Sequence, residues 1–213
     1  MTDELIDKIF SEKIELKKEE FEQITVEVCG VPKFLKNMLF DRIDSGKTGK
    51  ITKPTFLHFW KKEFQYADVN KRIFKIFAKP GSEGITTDDL KPMMKILLET
   101  HPGLEFLQAT PEFQDRYADT VVMRIFYKID MNDDGKISFR DFKRSNLKDI
   151  LFNVAAEEDI NKIREYFSYE HFYVLYCRFW ELDTDHDFLI DKEDFSRYEG
   201  HALARKAVDR IFD

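Results

Sequence analysis

The stretch "FWELDTDHDFLIDKEDF", residues 179–195, carries aspartates at 183, 185, 187, 191 and 194. Like charges this dense repel one another, so a folded chain that keeps them either solvates them or holds a doubly positive ion in their midst. A 12-residue frame that starts at Asp183 has Ile190 at its eighth position. Slid upstream, the frame fits again at Asp130 with Ile137, at Asp44 with Ile51 and at Ala78 with Ile85. An apolar residue precedes each frame by one place (Ile43, Phe77, Ile129, Leu182), and a phenylalanine by four (Phe40, Phe74, Phe126, Phe179). The residue just after each frame is Phe56, Leu90, Phe142 or Phe195.

Positions one and four before the frame share one face of an incoming helix. The isoleucine suits a short β-bridge between two loops, and the residue after the frame opens the core face of an outgoing helix. Helix, 12-residue loop, helix is the EF-hand. "TTDDL" (86–90) and "SFRD" (138–141) set Ser or Thr three residues before Asp, an approximate capping box where the outgoing helices begin.

An EF-hand loop offers oxygen at positions 1, 3, 5, 7, 9 and 12, the seventh through its carbonyl, with glycine at position 6 for the turn. The loop "DMNDDGKISFRD" offers Asp130, Asn132, Asp134, the carbonyl of Lys136, Ser138 and Asp141, with Gly135 at position 6. The loop "DTDHDFLIDKED" offers Asp183, Asp185, Asp187, the carbonyl of Leu189, Asp191 and Asp194, with Phe188 where glycine belongs. Both are expected to bind calcium. Aspartate at position 12 is shorter than the usual glutamate, which weakens calcium binding and leaves magnesium as the alternative ion. The loop "DSGKTGKITKPT" at 44 keeps one carboxylate, and the frame "AKPGSEGITTDD" at 78 lacks its first. Both are expected to be empty scaffold.

The expected fold is all-α, in two lobes that are each an EF-hand pair with additional helices. A helical segment over 1–30 precedes a pair with degenerate loops over 31–100 and a calcium-binding pair over 101–213. The frames at 44 and 78 lie close enough to pair directly. "ETHPGLEFLQATPE" (99–112), with two prolines and a glycine, is the expected boundary between lobes. "KDILFNVAAEEDINKIREYFSYE" (148–170) reads as inserted helix, and "YFSYEHFYVLYCRFW" (166–180) as a helix buried between lobes, with a partner-binding edge as the sharper reading.

Composition narrows the function. Among 213 residues, 43% are hydrophobic and 15% aromatic, which argues against disorder. A net charge of −7 disfavours nucleic-acid binding. No apolar run is long enough for a membrane helix, and "MTDELIDKIF" is not a signal peptide. Cys29 and Cys177 show no metal or disulfide spacing and read as reduced core thiols of an intracellular protein. "SGKTGK" (45–50) is no phosphate loop, because position 41, where that motif needs glycine, holds Asp41. His58, His101, His171, His186 and His201 share no ligand spacing, and His186 is expected to face water. No catalytic constellation emerges, so the chain is not expected to be an enzyme. With 6 methionines it also lacks the Met-rich groove of a calmodulin-like switch.

Two long stretches, "LLETHPGLEFLQATPEFQDRYADTVVMRIFY" (97–127) and "EEDINKIREYFSYEHFYVLYCRFWELDTDHDFLI" (157–190), closely resemble the B-double-prime regulatory subunits of protein phosphatase 2A. The resemblance covers most of 30–213. It implies a calcium-binding, non-catalytic regulatory subunit that directs the phosphatase to substrates or to a location. Its partners are then the helical-repeat scaffold subunit and the catalytic subunit. It also implies a cytoplasmic protein, with the cytoskeleton, centrosome or cilium as sites and cytoskeletal or centrosomal proteins as further partners. The family's functional calcium loop matches Asp183, Asp185, Asp187, Leu189, Asp191 and Asp194. The sequence departs from the family in two ways: its loop at 130 is nearly complete, and it stops at "AVDRIFD" where members continue into another EF-hand loop. The alternative is an EF-hand structural protein of the cytoskeleton, centrosome or cilium without a phosphatase.

Overall fold

The computed structural model describes residues 2–213 and is all-α. The helices are α1 (Thr2–Glu12), α2 (Lys36–Ile43), α3 (Lys53–Phe59), α4 (Val69–Phe77), α5 (Thr87–Thr100), α6 (Pro111–Ile129), α7 (Phe139–Arg144), α8 (Leu147–Ala156), α9 (Tyr169–Leu182), α10 (Lys192–Ser196) and α11 (Arg205–Phe212). The strands are dipeptides: β1 (Glu15–Leu16), β2 (Ile51–Thr52), β3 (Gly84–Ile85) and β4 (Ile137–Ser138). The chain divides into two compact units, one ending at Phe167 and the other running from Ser168 to Asp213.

Each strand is position eight of a loop with one neighbour, as the isoleucine column predicts. The pairing differs from the expected one. The loop at 44 pairs not with the frame at 78 but with β1, Leu16 opposite Ile51. The frame at 78 pairs instead with the loop at 130, Ile85 opposite Ile137. The reason is that a loop presents one short strand edge, and residues 15–16 already occupy the edge at 51. The segment over 1–30 is thus half of an EF-hand pair. Counted from Leu16, the column five residues on holds Phe21, matching Phe56, Leu90 and Phe142, and all four are fully buried. Its loop is shorter. Buried Phe10 stands six residues before Leu16, where Ile43 stands eight before Ile51, so a fixed 12-residue frame passes over it.

The two pairs of the first unit are built alike. Phe21 meets Phe40 edge-on at 5.3 Å and Phe56 at 6.2 Å. Phe74 meets Phe139 at 5.3 Å and Phe142 at 5.9 Å. Two arginines join the pairs through backbone carbonyls. Arg42 donates to Ala78 at 2.8 Å, and Arg72 to Cys29 at 2.9 Å while lying over the Trp60 ring at 4.9 Å. Cys29 is the core thiol expected, its pKa pushed up to about 12 by burial; Cys177 is only half-buried.

The expected boundary at 99–112 lies instead within the first unit, anchored by buried His101, Leu104 and Leu107. Pro102–Ala109 forms a 3-10 turn packed against α5 and α6. Buried His101 holds the turn: its Nδ1 accepts from the Gly103 amide at 3.1 Å, and its Nε2 lies 3.2 Å from the Val154 carbonyl. A Cβ on Gly103 would stand 2.6 Å from the Glu158 carbonyl oxygen and 2.7 Å from the Ile160 nitrogen. The division between units falls later, after Phe167, so the expected split into 31–100 and 101–213 does not coincide with it. The inserted stretch 148–170 is helical only in α8 and at Ile160–Lys162 before α9 begins. Near its end stands Tyr166, whose φ of +61° is strained for a bulky residue. Arg124 donates to the Tyr166 carbonyl at 2.8 Å, and the Tyr117 hydroxyl to the Phe167 carbonyl at 2.5 Å, which hold that backbone.

The second unit contains α9, the acidic loop, α10 and α11. Phe195 meets Phe212 at 5.9 Å, and Val208 is buried. Of its EF-hand columns, Ile190 joins no strand among the described residues. α9 is not the buried helix expected. Phe172 is buried, but Tyr173, Val174, Leu175 and Trp180 are exposed. Its aromatics instead cover one another at i, i+4 spacing, Tyr169 on Tyr173 and Tyr176 on Trp180, each at 6.2 Å.

Two stability outcomes follow. Phe21→Ala empties a fully buried site shared by both hands of the first pair, so it costs about 3–5 kcal/mol in urea unfolding. Ile14→Ala, at a residue 88% exposed, stays within about 0.5 kcal/mol. Equal effects would show that residues 1–30 are an appendage. Gly103→Ala forces backbone apart at Glu158 and Ile160 and costs about 1–3 kcal/mol in the same measurement. Wild-type stability there would exclude the close approach.

Candidate metal centre

Position 4 is left-handed in all four frames (Lys47, φ +52°; Gly81, +79°; Asp133, +53°; His186, +59°), and position 6 in the three loops at 44, 130 and 183 (Gly49, +77°; Gly135, +75°; Phe188, +66°). Phe188 therefore takes the glycine conformation, at a cost of order 1 kcal/mol. What holds it there is common to all three. The position 6 amide donates to the position 1 carboxylate: Gly49 to Asp44 at 2.7 Å, Gly135 to Asp130 at 2.9 Å and Phe188 to Asp183 at 2.9 Å.

The second oxygen of that carboxylate separates the loops. In Asp44 it accepts from both the amide and the hydroxyl of Thr48, each at 2.9 Å. The Thr48 amide is the chief reason the Asp44 carboxyl lies below its ordinary value. This loop satisfies its one acid internally, as its sequence suggests. In Asp130 and Asp183 the second oxygen, Oδ1, is buried and has no hydrogen-bond partner. A buried carboxylate oxygen left unpaired is costly, and an oxygen-seeking cation removes that cost. The calcium expectation thus fits these two loops and not the loop at 44. The frame at 78 is likewise self-contained, since Asp89 accepts from the amide and hydroxyl of Thr86 at 2.8 Å each.

In the acidic loop, Asp183, Asp185 and Asp187 bring carboxylate oxygens within 4.8 Å of one another, the one such acidic group among the described residues. Asp183 is fully buried, while Asp185 and Asp187 are exposed. Asp187 also accepts from the Leu189 amide at 2.7 Å. Asp191 and Asp194 are engaged elsewhere. Asp191 caps α10, accepting from the Asp194 amide at 2.7 Å. Asp194 is buried and accepts from the amides of Thr184 and Asp191, each at 3.3 Å, and from Arg197 at 2.6 Å. Burial raises the Asp194 carboxyl, but these bonds, Arg197 foremost, outweigh it and hold it below its ordinary value. The spacing rule for metal ligands passes over Arg197, although its place three residues after position 12 is within reach on a helix.

The loop at 130 is arranged more loosely. Asn132 donates to Asp134 at 2.7 Å, and so does the Lys136 amide at 2.9 Å. Ser138 caps α7 and donates to Asp141 at 2.5 Å. Asn132, Asp134, Ser138 and Asp141 line an open hollow of about 380 Å³ together with Arg140 and Arg144. His186 is exposed, as expected. Its ring stacks on Trp180 with centroids 3.8 Å apart and planes 7° from parallel.

Comparison with known proteins agrees with this architecture. The EF-hand domain family matches residues 68–157, which span the second loop pair. An Arabidopsis thaliana protein, the probable B''delta regulatory subunit of serine/threonine protein phosphatase 2A, is 50% identical over 92% of this chain and 37% of its own length. The human B'' alpha regulatory subunit of the same phosphatase is 42% identical over 87% of this chain and 16% of its own. The chain thus spans well under half of these relatives. A solved PP2A PR70 holoenzyme structure designated diCa superposes with a TM-score of 0.66 at 44% identity, over 69% of this chain and 55% of that one. With its shared loop frame, its paired hands and these relatives, the chain belongs to the EF-hand-containing B'' family of protein phosphatase 2A regulatory subunits.

Proposed function

We propose that this chain is the calcium-responsive part of a non-catalytic regulatory subunit, which binds the scaffold and catalytic subunits of protein phosphatase 2A. The observation that carries the calcium reading is the buried, unpaired Oδ1 of Asp183, with Asp185 and Asp187 beside it. Calcium is bound there by Asp183, Asp185 and Asp187, with the carbonyl of Leu189, Asp191 and Asp194 completing the set. At the loop at 130 the corresponding ligands are Asp130, Asn132, Asp134, the carbonyl of Lys136, Ser138 and Asp141. The unpaired Oδ1 of Asp130 supports that second site. The names of the relatives support the phosphatase partners. The ion neutralises clustered carboxylates and offsets the strain at Phe188, so binding energy is spent on ordering the loop and the helices that flank it.

Calcium stabilises the protein by linkage, by roughly 2.7 kcal/mol at a free concentration about 100 times the dissociation constant. In an Asp130→Ala background, further replacement of Asp183 and Asp185 by alanine abolishes the calcium-induced rise in melting temperature. The fold is retained, because the apolar columns are untouched, but the metal-free melting temperature falls, because the amides of Gly135 and Phe188 lose their acceptors. The same triple variant gives no heat on calcium titration, since the loops at 44 and 78 are silent. A calcium-induced shift that survives the triple substitution would place the site elsewhere.

The phosphatase reading is tested by co-purification with recombinant scaffold and catalytic subunits, in calcium and in chelator. The expected result is recovery of both subunits with calcium, reduced for the triple variant. No recovery in either condition would overturn the assignment of partners to this chain.

A further inference from the structure

Both loops with an unpaired position 1 oxygen carry an arginine three residues after their position 12 aspartate: Arg144 after Asp141 and Arg197 after Asp194. The other three hands have Gln23, His58 and Pro92 at that place. In the acidic loop the arginine is in use. A guanidinium nitrogen of Arg197 lies 2.6 Å from Asp194 Oδ1, and Asp194 is itself buried. Through the amides of Thr184 and Asp191, the same carboxylate ties the second residue of the loop to the ninth. Three of the five carboxylates therefore lie close together, while a guanidinium neutralises Asp194. Asp194 cannot give its full charge to an ion and to Arg197 at once.

We propose that Arg197 is a built-in competitor of the metal. It stands in for the ion at position 12 when the loop is empty, and the ion must displace it when the loop fills. The proposal rests on the reading of this loop as a calcium site. Arg197 is a positioning residue here, because it acts on the ion only through Asp194. Its pairing lets the loop keep its closed path without metal, at the expense of affinity. The guanidinium is partly exposed, so it swings into water when released. By linkage, whatever acidic group captures the freed arginine strengthens calcium binding by the same factor.

The test uses the full chain with Asp130→Ala, so that calcium heats report on the acidic loop. Arg197→Ala and Arg197→Gln are compared with that parent by calorimetric titration with calcium chloride and by melting in chelator. The expected result has opposite signs. Calcium affinity rises about two- to five-fold, the factor a partly exposed ion pair is worth, while the metal-free melting temperature falls. Arg197→Lys, which keeps the charge, returns both toward the parent. A merely structural arginine lowers both quantities, because a loosened loop binds worse. Affinity that is unchanged or weaker in both charge-free variants therefore overturns the proposal and leaves the calcium site standing. No calcium heat in the parent removes the site, and the arginine's role with it. Arg197→Gln keeps a hydrogen-bonding side chain and serves as the folded test should Arg197→Ala melt below the working temperature.

Discussion

The antiparallel bridge at position eight is the constraint on which the rest of the first unit depends. It is two residues long on each side, Leu16 against Ile51 and Ile85 against Ile137. Backbone hydrogen bonds that short are worth little alone. Their importance is geometric. The bridge sets two loops back to back, and the four helices leaving them must then converge, bringing Phe21, Phe40 and Phe56 together in one pair and Phe74, Phe139 and Phe142 in the other. At Gly84 the strands approach so closely that a Cβ would stand 3.0 Å from the Ile137 carbonyl oxygen. The apolar columns supply the energy, and the bridge supplies the register.

The same backbone path serves the loop at 44, which satisfies its acid internally, and the loops at 130 and 183, which do not. What differs is the treatment of one oxygen. Thr48 satisfies Asp44 from within, whereas Asp130 and Asp183 are each left with a buried oxygen and no donor. A degenerate hand can thus keep its shape and its place in the pair after losing its ligands, because the amide at position 6 and the apolar columns are enough to hold the turn. The acidic loop takes the opposite course. It keeps its acids, accepts a strained Phe188, and balances one of its charges with an arginine.

The second unit is built on the same columns with less burial. Its position eight residue has no strand beside it among the described residues, and α9 shows aromatic side chains to solvent. The bias that places Tyr and Trp at such a surface is that each has an apolar body with a polar tip. Stacking of neighbours one turn apart along α9 recovers part of the contact that burial gives the first unit.

The sequence alone determined the helical class, the 12-residue frame in four places, the isoleucine bridge and the carboxylates of two loops, because each is a local matter of period and spacing. It also contained the family resemblance, carried by residues 97–127 and 157–190. Only the tertiary structure decided which loop pairs with which, since every position eight is an apolar residue and any two satisfy the pattern. It revealed the fifth hand, hidden by a loop two residues shorter, and fixed the proline-rich stretch at 99–112 inside the first unit through His101 and Gly103. It also decided where the charges go: Asp183, Asp185 and Asp187 converge, while Asp194 is held by Arg197. Spacing counts the oxygens a loop can offer, but competition for each oxygen is settled by the three-dimensional neighbours that reach it first.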